Sequence, residues 1–264
     1  MYPTKYHKAA SIDDAIAALA AGEDAKLLAG GQTLLATMKQ HLAAPSDLVD
    51  VRAIDGMSGV STDGDTLVIG AATTHAEVAS NGDVQRLCPA LASLAGGIGD
   101  PAVRHAGTIG GSIANNDPAA DYPAGLLALG ATIVTNSREV AADDFFDGLF
   151  TTALDEDEII TAVRVDAPAK AAYVKFRQPA SLFALVGVCV AQTADGARVA
   201  VTGAGEDGVF RHAGLEAALS ANWSAEAAAS VDVTSEGLMS DMHGSADYRA
   251  NLVKVLAKRA AAGC

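Results

Sequence analysis

Apolar residues at Ile12, Ala15, Ile16 and Leu19 fall on one face of a 3.6-residue period. Ser11 stands where a hydroxyl caps a helix, Asp14 follows three residues later, and Gly22 closes the run, so the pattern predicts a first helix. Lys26-Leu27-Leu28-Ala29 reads as a short strand broken by Gly30-Gly31, residues 33–40 as a short helix or turn, and residues 48–51 as another strand. Residues 56–64 are turn-rich and mark a boundary. Beyond them the pattern gives a strand at 66–70, a short helix at 75–80, a longer helix at 84–95 and a glycine-dense stretch from Gly96 to Gly111. A helix at 121–129 and strands at 131–135 and 158–165 follow, and Asp166-Ala167-Pro168-Ala169 reads as a second linker. After it come strands at 172–176, 184–191 and 197–202, then helices at 212–221 and 224–230. A last helix is capped by Ser245 and carries Tyr248, Leu252, Val255 and Leu256 on one stripe. Runs of strands followed by helices predict an α+β fold rather than a repeating βαβ layout.

Composition narrows the function. Half of the 264 residues are hydrophobic and 19% are charged, which excludes a disordered chain. The formal net charge is -14 and Lys and Arg form no cluster, so neither nucleic acid nor an anionic membrane surface is an expected partner. No apolar run reaches the ~18–20 residues of a membrane span. Met1-Tyr2-Pro3-Thr4-Lys5 carries neither an apolar signal region nor a twin-Arg pair, and the expected location is the cytoplasm. Cys88, Cys189 and Cys264 are far apart in sequence and read as reduced thiols. His7, His41, His75, His105, His212 and His243 form no HxxxH or HExxH pair, so no protein-bound metal is expected.

Two glycine clusters carry the candidate chemistry. Ala29-Gly30-Gly31-Gln32-Thr33 follows a strand, and Thr108-Ile109-Gly110-Gly111-Ser112 is followed by Asn115, Asn116, Asp117 and Asp121. Adjacent glycines let backbone approach a ligand, and successive N–H groups in such turns form concave anion sites. A diphosphate inside an acidic protein suits that chemistry; ligand-free tight turns are the plain alternative. Gly203-Ala204-Gly205-Glu206-Asp207-Gly208 matches GxGxxG, but Glu206 and Asp207 would face the pyrophosphate, so it reads as a hairpin or loop turn. Gly110-Gly111-Ser112-Ile113-Ala114 approaches a nucleophile elbow without its last glycine, leaving a hydrolase a weak alternative. His75 reads as a capping or surface residue, with a place near a ligand as the alternative. Arg104 supports the second motif or forms a surface ion pair, and Asp155-Glu156-Asp157-Glu158 reads as a solvated turn.

Leu27–Leu35 with its Ala-Gly-Gly-Gln-Thr core and Arg104-His105-Ala106-Gly107-Thr108-Ile109-Gly110-Gly111-Ser112-Ile113-Ala114 resemble the FAD-binding medium subunit of molybdenum hydroxylases, the carbon monoxide dehydrogenase and xanthine dehydrogenase family. Asp117–Ala124, Arg177–Ser181 with Phe183–Val188, and Asp241–Arg249 resemble later segments of that subunit, so the resemblance covers nearly the whole chain. It implies an α+β, two-subdomain FAD-binding (PCMH-type) fold with units at 1–56 and 57–167. A C-terminal α+β domain of the carbon monoxide dehydrogenase flavoprotein type follows at 168–264.

The same resemblance implies that Leu28, Ala29, Gly30, Gly31, Gln32 and Thr33, and Thr108, Ile109, Gly110, Gly111 and Ser112, hold the FAD pyrophosphate through backbone N–H groups. It sets Asp121 on the ribose or adenine side and Ile159, Ile160 and Lys175 near the flavin ring. Gln32 stands where carbon monoxide dehydrogenase-like sequences often have His or Gln, and in the wider flavin-linked fold a His nearby can carry a covalent flavin; with Gln here, FAD is expected to be non-covalent. Three dispersed cysteines cannot ligate the extra cluster of the benzoyl-CoA-type branch. The implied role is an electron-transfer subunit with no catalytic residue of its own. The molybdenum cofactor sits on a large partner and the 2Fe-2S clusters on a small one, in a dimer of heterotrimers. A stand-alone FAD-dependent reductase or oxidase of the same fold, and a scaffold that has lost its cofactor, are the alternatives.

Overall fold

The computed structural model describes every residue from Met1 to Cys264. Three sheets follow one another along the chain. The first unit comprises β1 (Lys5–Lys8), α1 (Ile12–Ala21), β2 (Ala25–Leu28), α2 (Leu34–Lys39) and β3 (Asp47–Asp50). Its sheet is parallel, with β3 between β1 and β2. Helix α1 begins as its sequence dictates. The Asp14 N–H donates to Ser11 Oγ at 3.1 Å, and the Asp14 carboxylate accepts the Ala10 N–H at 2.8 Å. The pattern of apolar positions misses β1, whose four residues are all exposed. It is a strand because its backbone pairs with β3 from Lys5 opposite Asp47 to Lys8 opposite Asp50.

The second unit opens with β4 (Val60–Asp63), β5 (Thr66–Gly70), α3 (His75–Ser80), α4 (Gly82–Leu87) and α5 (Pro89–Gly96). It continues through α6 (Pro101–Arg104), α7 (Ile109–Asn115), α8 (Asp121–Leu129), β6 (Thr132–Thr135), β7 (Glu139–Ala141), α9 (Ala142–Phe145) and β8 (Ile160–Asp166). The sheet is antiparallel in the order β4-β5-β8-β6-β7. Three readings of the sequence are corrected here. The turn-rich boundary contains β4. The single helix expected over 84–95 is two, because Pro89 drives Cys88 out of the helical region, to φ -144° and ψ 73°. The second glycine motif lies in the first turn of α7 rather than in an open turn.

The third unit holds β9 (Lys170–Arg177), β10 (Ala184–Thr193), β11 (Gly196–Gly205), β12 (Gly208–Arg211), α10 (Ala213–Ala221), α11 (Ala225–Ser230) and α12 (Ala246–Ala262). The four strands form an antiparallel meander. The GxGxxG match is the hairpin turn between β11 and β12, with Gly205 opposite Gly208. Leu215, Leu219, Leu252, Val253 and Leu256 of the closing helices pack on one face of this sheet.

Its other face lies on α8, a helix buried at every residue. A helix apolar all round belongs between two layers. The third sheet grips both ends of α8. Thr202 Oγ1 donates to the Pro118 and Ala120 carbonyls at 3.0 and 2.7 Å, and Arg198 donates to the Leu127 carbonyl at 2.7 Å. Asp121, the first residue of α8, is thereby fixed with respect to the second and third units. No helix is long and apolar enough to cross a membrane.

Candidate functional site: a cleft between two glycine segments

A cleft of about 510 Å³ opens where the three units meet. One wall is the loop from β2 to α2. The other is formed by residues 71–75, the start of α7 and the start of α8, and Ser181, Leu182 and Phe183 of the third unit close one side. The volume lies in the range of small-molecule and cofactor sites.

The two glycine segments touch backbone to backbone. A Cβ on Gly30 would collide with the Ala106 carbonyl oxygen and stand 2.6 Å from Gly107 Cα. Gly31 has φ +68°, a left-handed conformation that favours glycine. The loop they shape leaves its donors open: none of the five N–H groups of Ala29, Gly30, Gly31, Gln32 and Thr33 donates a hydrogen bond within the chain. The Gln32 side chain folds back onto its own loop, Nε2 donating to the Gly30 carbonyl at 3.2 Å. Thr33 Oγ1 is also without a partner and does not cap α2. Five adjacent unpaired amides on residues that line a cleft supply the donors an anion needs.

The second segment differs. The N–H groups of Ile109 and Gly110 donate to the Thr73 and Ala71 carbonyls at 3.1 and 2.8 Å, and that of Ser112 donates to the Thr108 carbonyl at 3.0 Å. The Gly111 N–H donates to Thr108 Oγ1 at 3.1 Å, the cap of α7. Only the Thr108 N–H lacks an acceptor in the chain. Gly110 is needed for close packing, since a Cβ there would stand 2.6 Å from Ala71 Cβ and 2.7 Å from its carbonyl oxygen.

Leu28, Ala29, Gly30, Gly31, Gln32, Thr33, Thr108, Gly110, Gly111, Ser112, Asp121 and Ile160 all line the cleft. Ile109 and Lys175 do not: Ile109, the first residue of α7, is fully buried, and the Lys175 side chain is buried against Asp121. Lys175 Nζ lies 2.9 and 3.0 Å from the two Asp121 oxygens, and the Tyr173 hydroxyl donates to the same carboxylate. Both members of the ion pair are about 95% buried, Lys175 with 5% and Asp121 with 4% of its side chain exposed. Burial pushes the Asp121 carboxyl above its ordinary range, opposed by Lys175 and Tyr173.

Three residues behave differently from their sequence reading. Glu158 is buried rather than part of a solvated turn. It accepts from Arg138 Nε at 2.9 Å, Thr135 Oγ1 at 2.7 Å and Ser137 Oγ at 2.9 Å. Those bonds, Arg138 foremost, hold its carboxyl well below the usual range. Arg104 forms no ion pair; its guanidinium donates to the Ile98 and Gly99 carbonyls at 2.9 and 3.0 Å and so braces the glycine-rich turn on the cleft. His75 is a buried lining residue, 4% exposed, packed against Tyr122 with ring centroids 5.3 Å apart. Burial and then the Arg104 charge lower its pKa to about 4, so the imidazole is neutral at pH 7. The signal for its placement is the capping box of Thr74 and Glu77, which fixes the start of α3 and turns residue 75 inward.

Residues 2–168 match the family described as the FAD binding domain in molybdopterin dehydrogenase. The carbon monoxide dehydrogenase medium chain of Hydrogenophaga pseudoflava is 36% identical, over 97% of this chain and 95% of its own. The nicotine 6-hydroxylase medium subunit of Paenarthrobacter nicotinovorans is 36% identical over the same shares, 97% and 95%. Among solved structures, reconstituted CO dehydrogenase from Oligotropha carboxidovorans superposes with a TM-score of 0.90 at 32% identity, covering 98% of this chain and 96% of the other. A chain with this fold, this cleft and these relatives belongs to the FAD-binding subunits of the molybdopterin dehydrogenases, the medium-chain oxidoreductase components of the molybdenum hydroxylase family.

Proposed function

We propose that the chain holds FAD non-covalently in the cleft between residues 1–56 and 57–167, as the electron-transfer subunit of a molybdenum-containing hydroxylase or dehydrogenase. The observation that carries this reading is the run of five unpaired N–H groups from Ala29 to Thr33 on a cleft of about 510 Å³. A diphosphate needs donors, and main-chain dipoles supply them without Lys or Arg in a protein of net charge -14. The second segment contributes through the Thr108 N–H and the Ser112 hydroxyl, while Gly110 and Gly111 keep α7 close to its neighbours. Asp121, pinned by Lys175 and Tyr173, presents a fixed carboxylate to the polar end of the ligand, and Ile159 and Ile160 offer an apolar surface to the ring. Lys175 acts by holding Asp121.

Bound there and held by the Ala29–Thr33 amides, Thr108 and Asp121, FAD would supply the electron-transfer chemistry between 2Fe-2S clusters on a small partner subunit, with a molybdenum cofactor on a large one, and an acceptor. The chain's task is binding, orientation and exclusion of water, within a dimer of heterotrimers.

Purification tests the reading. The full chain is expected to be yellow, to release FAD on acid precipitation or chaotrope treatment, and to co-purify from its source with a larger and a smaller subunit. Flavin remaining with the acid-precipitated protein contradicts non-covalent binding, and a chain that takes up no FAD contradicts the site.

A further inference from the structure

His75 has a hydrogen-bonding capacity that the fold leaves unused. Its Nδ1 is buried with no partner, and its Nε2 makes no hydrogen bond within the chain either. Nε2 lies against Gly107, where a Cβ would stand 2.6 Å away, and Gly107 touches Gly30 of the opposite wall. The ring therefore sits at the seam where the two glycine segments meet and lines the same cleft. Tyr122, fully buried and packed on the ring at 5.3 Å, fixes its plane and offers no bond, since its own hydroxyl is also unpartnered.

A buried polar group without a partner destabilises a fold, so a leucine or phenylalanine in this setting would give a more stable empty chain. Unused capacity beside a cleft is a mark of a binding residue, where stability yields to function. Imidazolium would add a charge in a site already desolvated; burial and Arg104 keep the ring neutral. It can thus donate from one nitrogen and accept at the other.

We infer that His75 is a flavin-binding residue of this chain, giving or taking a hydrogen bond with the bound flavin dinucleotide through Nε2 at the seam between the two glycine segments. The inference rests on the cleft being the FAD site. It assigns His75 to binding rather than to helix capping, a task that Thr74 and Glu77 perform.

The test uses the full chain stripped of flavin, titrated with FAD by the quenching of flavin fluorescence, with the unfolding midpoint of the flavin-free chain measured in parallel. In His75→Phe the expected result is a midpoint raised by about 2–4 °C and an FAD Kd weakened about tenfold. His75→Gln, whose amide reaches the same place, is expected to keep Kd within about threefold of the parent. A merely structural histidine gives the opposite pair, a lower midpoint and an unchanged Kd, and an unchanged Kd in folded His75→Phe overturns the inference. Should the Phe variant not fold, the imidazole 15N resonances of the parent chain decide, assigned by comparison with His75→Gln. The His75 signal is expected to move on adding FAD, and a static signal at saturation overturns the proposal. A parent chain that binds no FAD overturns the flavin reading itself, which separates the two failures.

Discussion

The two walls of the cleft share a composition and use it oppositely. On the first wall, adjacent glycines bend a loop whose five N–H groups have no partner within the chain. On the second, adjacent glycines sit in a helix start whose N–H groups are taken by Ala71, Thr73 and Thr108, and Gly110 is there because α7 packs against Ala71 with no room for a Cβ. The acid on the second wall is engaged as well, Asp121 by Lys175 and Tyr173. One wall is preorganised to bind and the other to hold its shape. A Gly-Gly pair therefore signals close backbone approach, and only the surrounding carbonyls decide whether a ligand or the protein itself is approached.

The largest effect is expected where the rigid wall is broken electrostatically. Lys175→Met leaves a buried carboxylate without its cation, and the loss of stability should be about 3–5 kcal/mol in chemical denaturation. Asp121→Asn together with Lys175→Met should recover most of it. A double variant as unstable as the single one would contradict the stranded carboxylate as the source of the loss.

Next comes a direct contrast of the glycines. Gly110→Val drives a side chain into Ala71 and should lower stability by about 1–3 kcal/mol or more, flavin being lost with the fold. Gly31→Val strains a residue at φ +68° and meets the movable end of Leu35, at about 1–2 kcal/mol. Its flavin should be lost while the chain still folds, with its unfolding midpoint lowered less than that of Gly110→Val. Equal loss of stability in both would erase the distinction between the walls.

Smallest of all near neutral pH is a pH dependence. Above pH 6.5 neither folded nor unfolded His75 carries a proton. Between 6.5 and about 4 the unfolded chain takes one and the folded chain does not, so stability falls as the pH drops through that window, by at most about 1.4 kcal/mol per unit. His212, also lowered by burial, acts in the same direction. Asp121, whose carboxyl burial raises, acts in the other, since the folded chain takes its proton first. The difference between the parent and His75→Phe isolates the His75 part, and identical pH profiles for the two would contradict its burial as a neutral ring.

Local pattern made much of the fold legible. Helix α8 appears at residues 121–129 as expected, because an apolar run sits between an acid at its start and Gly130 at its end. Strands β10 and β11 are long apolar runs broken by a Gly-containing turn, and the GxGxxG decoy is the hairpin turn its acids suggested. What pattern could not show depends on partners distant in sequence. Strand β1 is exposed along its length and exists through pairing with β3. Glu158 reads as solvated beside Asp155, Glu156 and Asp157, yet its partner Arg138 lies 20 residues away. Lys175 and Asp121 meet across 54 residues. The carbonyls that occupy the second segment's amides belong to Ala71 and Thr73, so nothing within Thr108–Ser112 distinguishes an open cup from a closed one.

Amide hydrogen exchange of the full chain with and without FAD addresses the central claim most directly. The N–H groups of Ala29, Gly30, Gly31, Gln32 and Thr33 should exchange fast in the flavin-free chain and slow markedly when FAD binds, while those of Ile109, Gly110 and Ser112 should be protected in both states. Unchanged exchange from Ala29 to Thr33 at saturating FAD, with protection gained elsewhere, would contradict a diphosphate held by that loop.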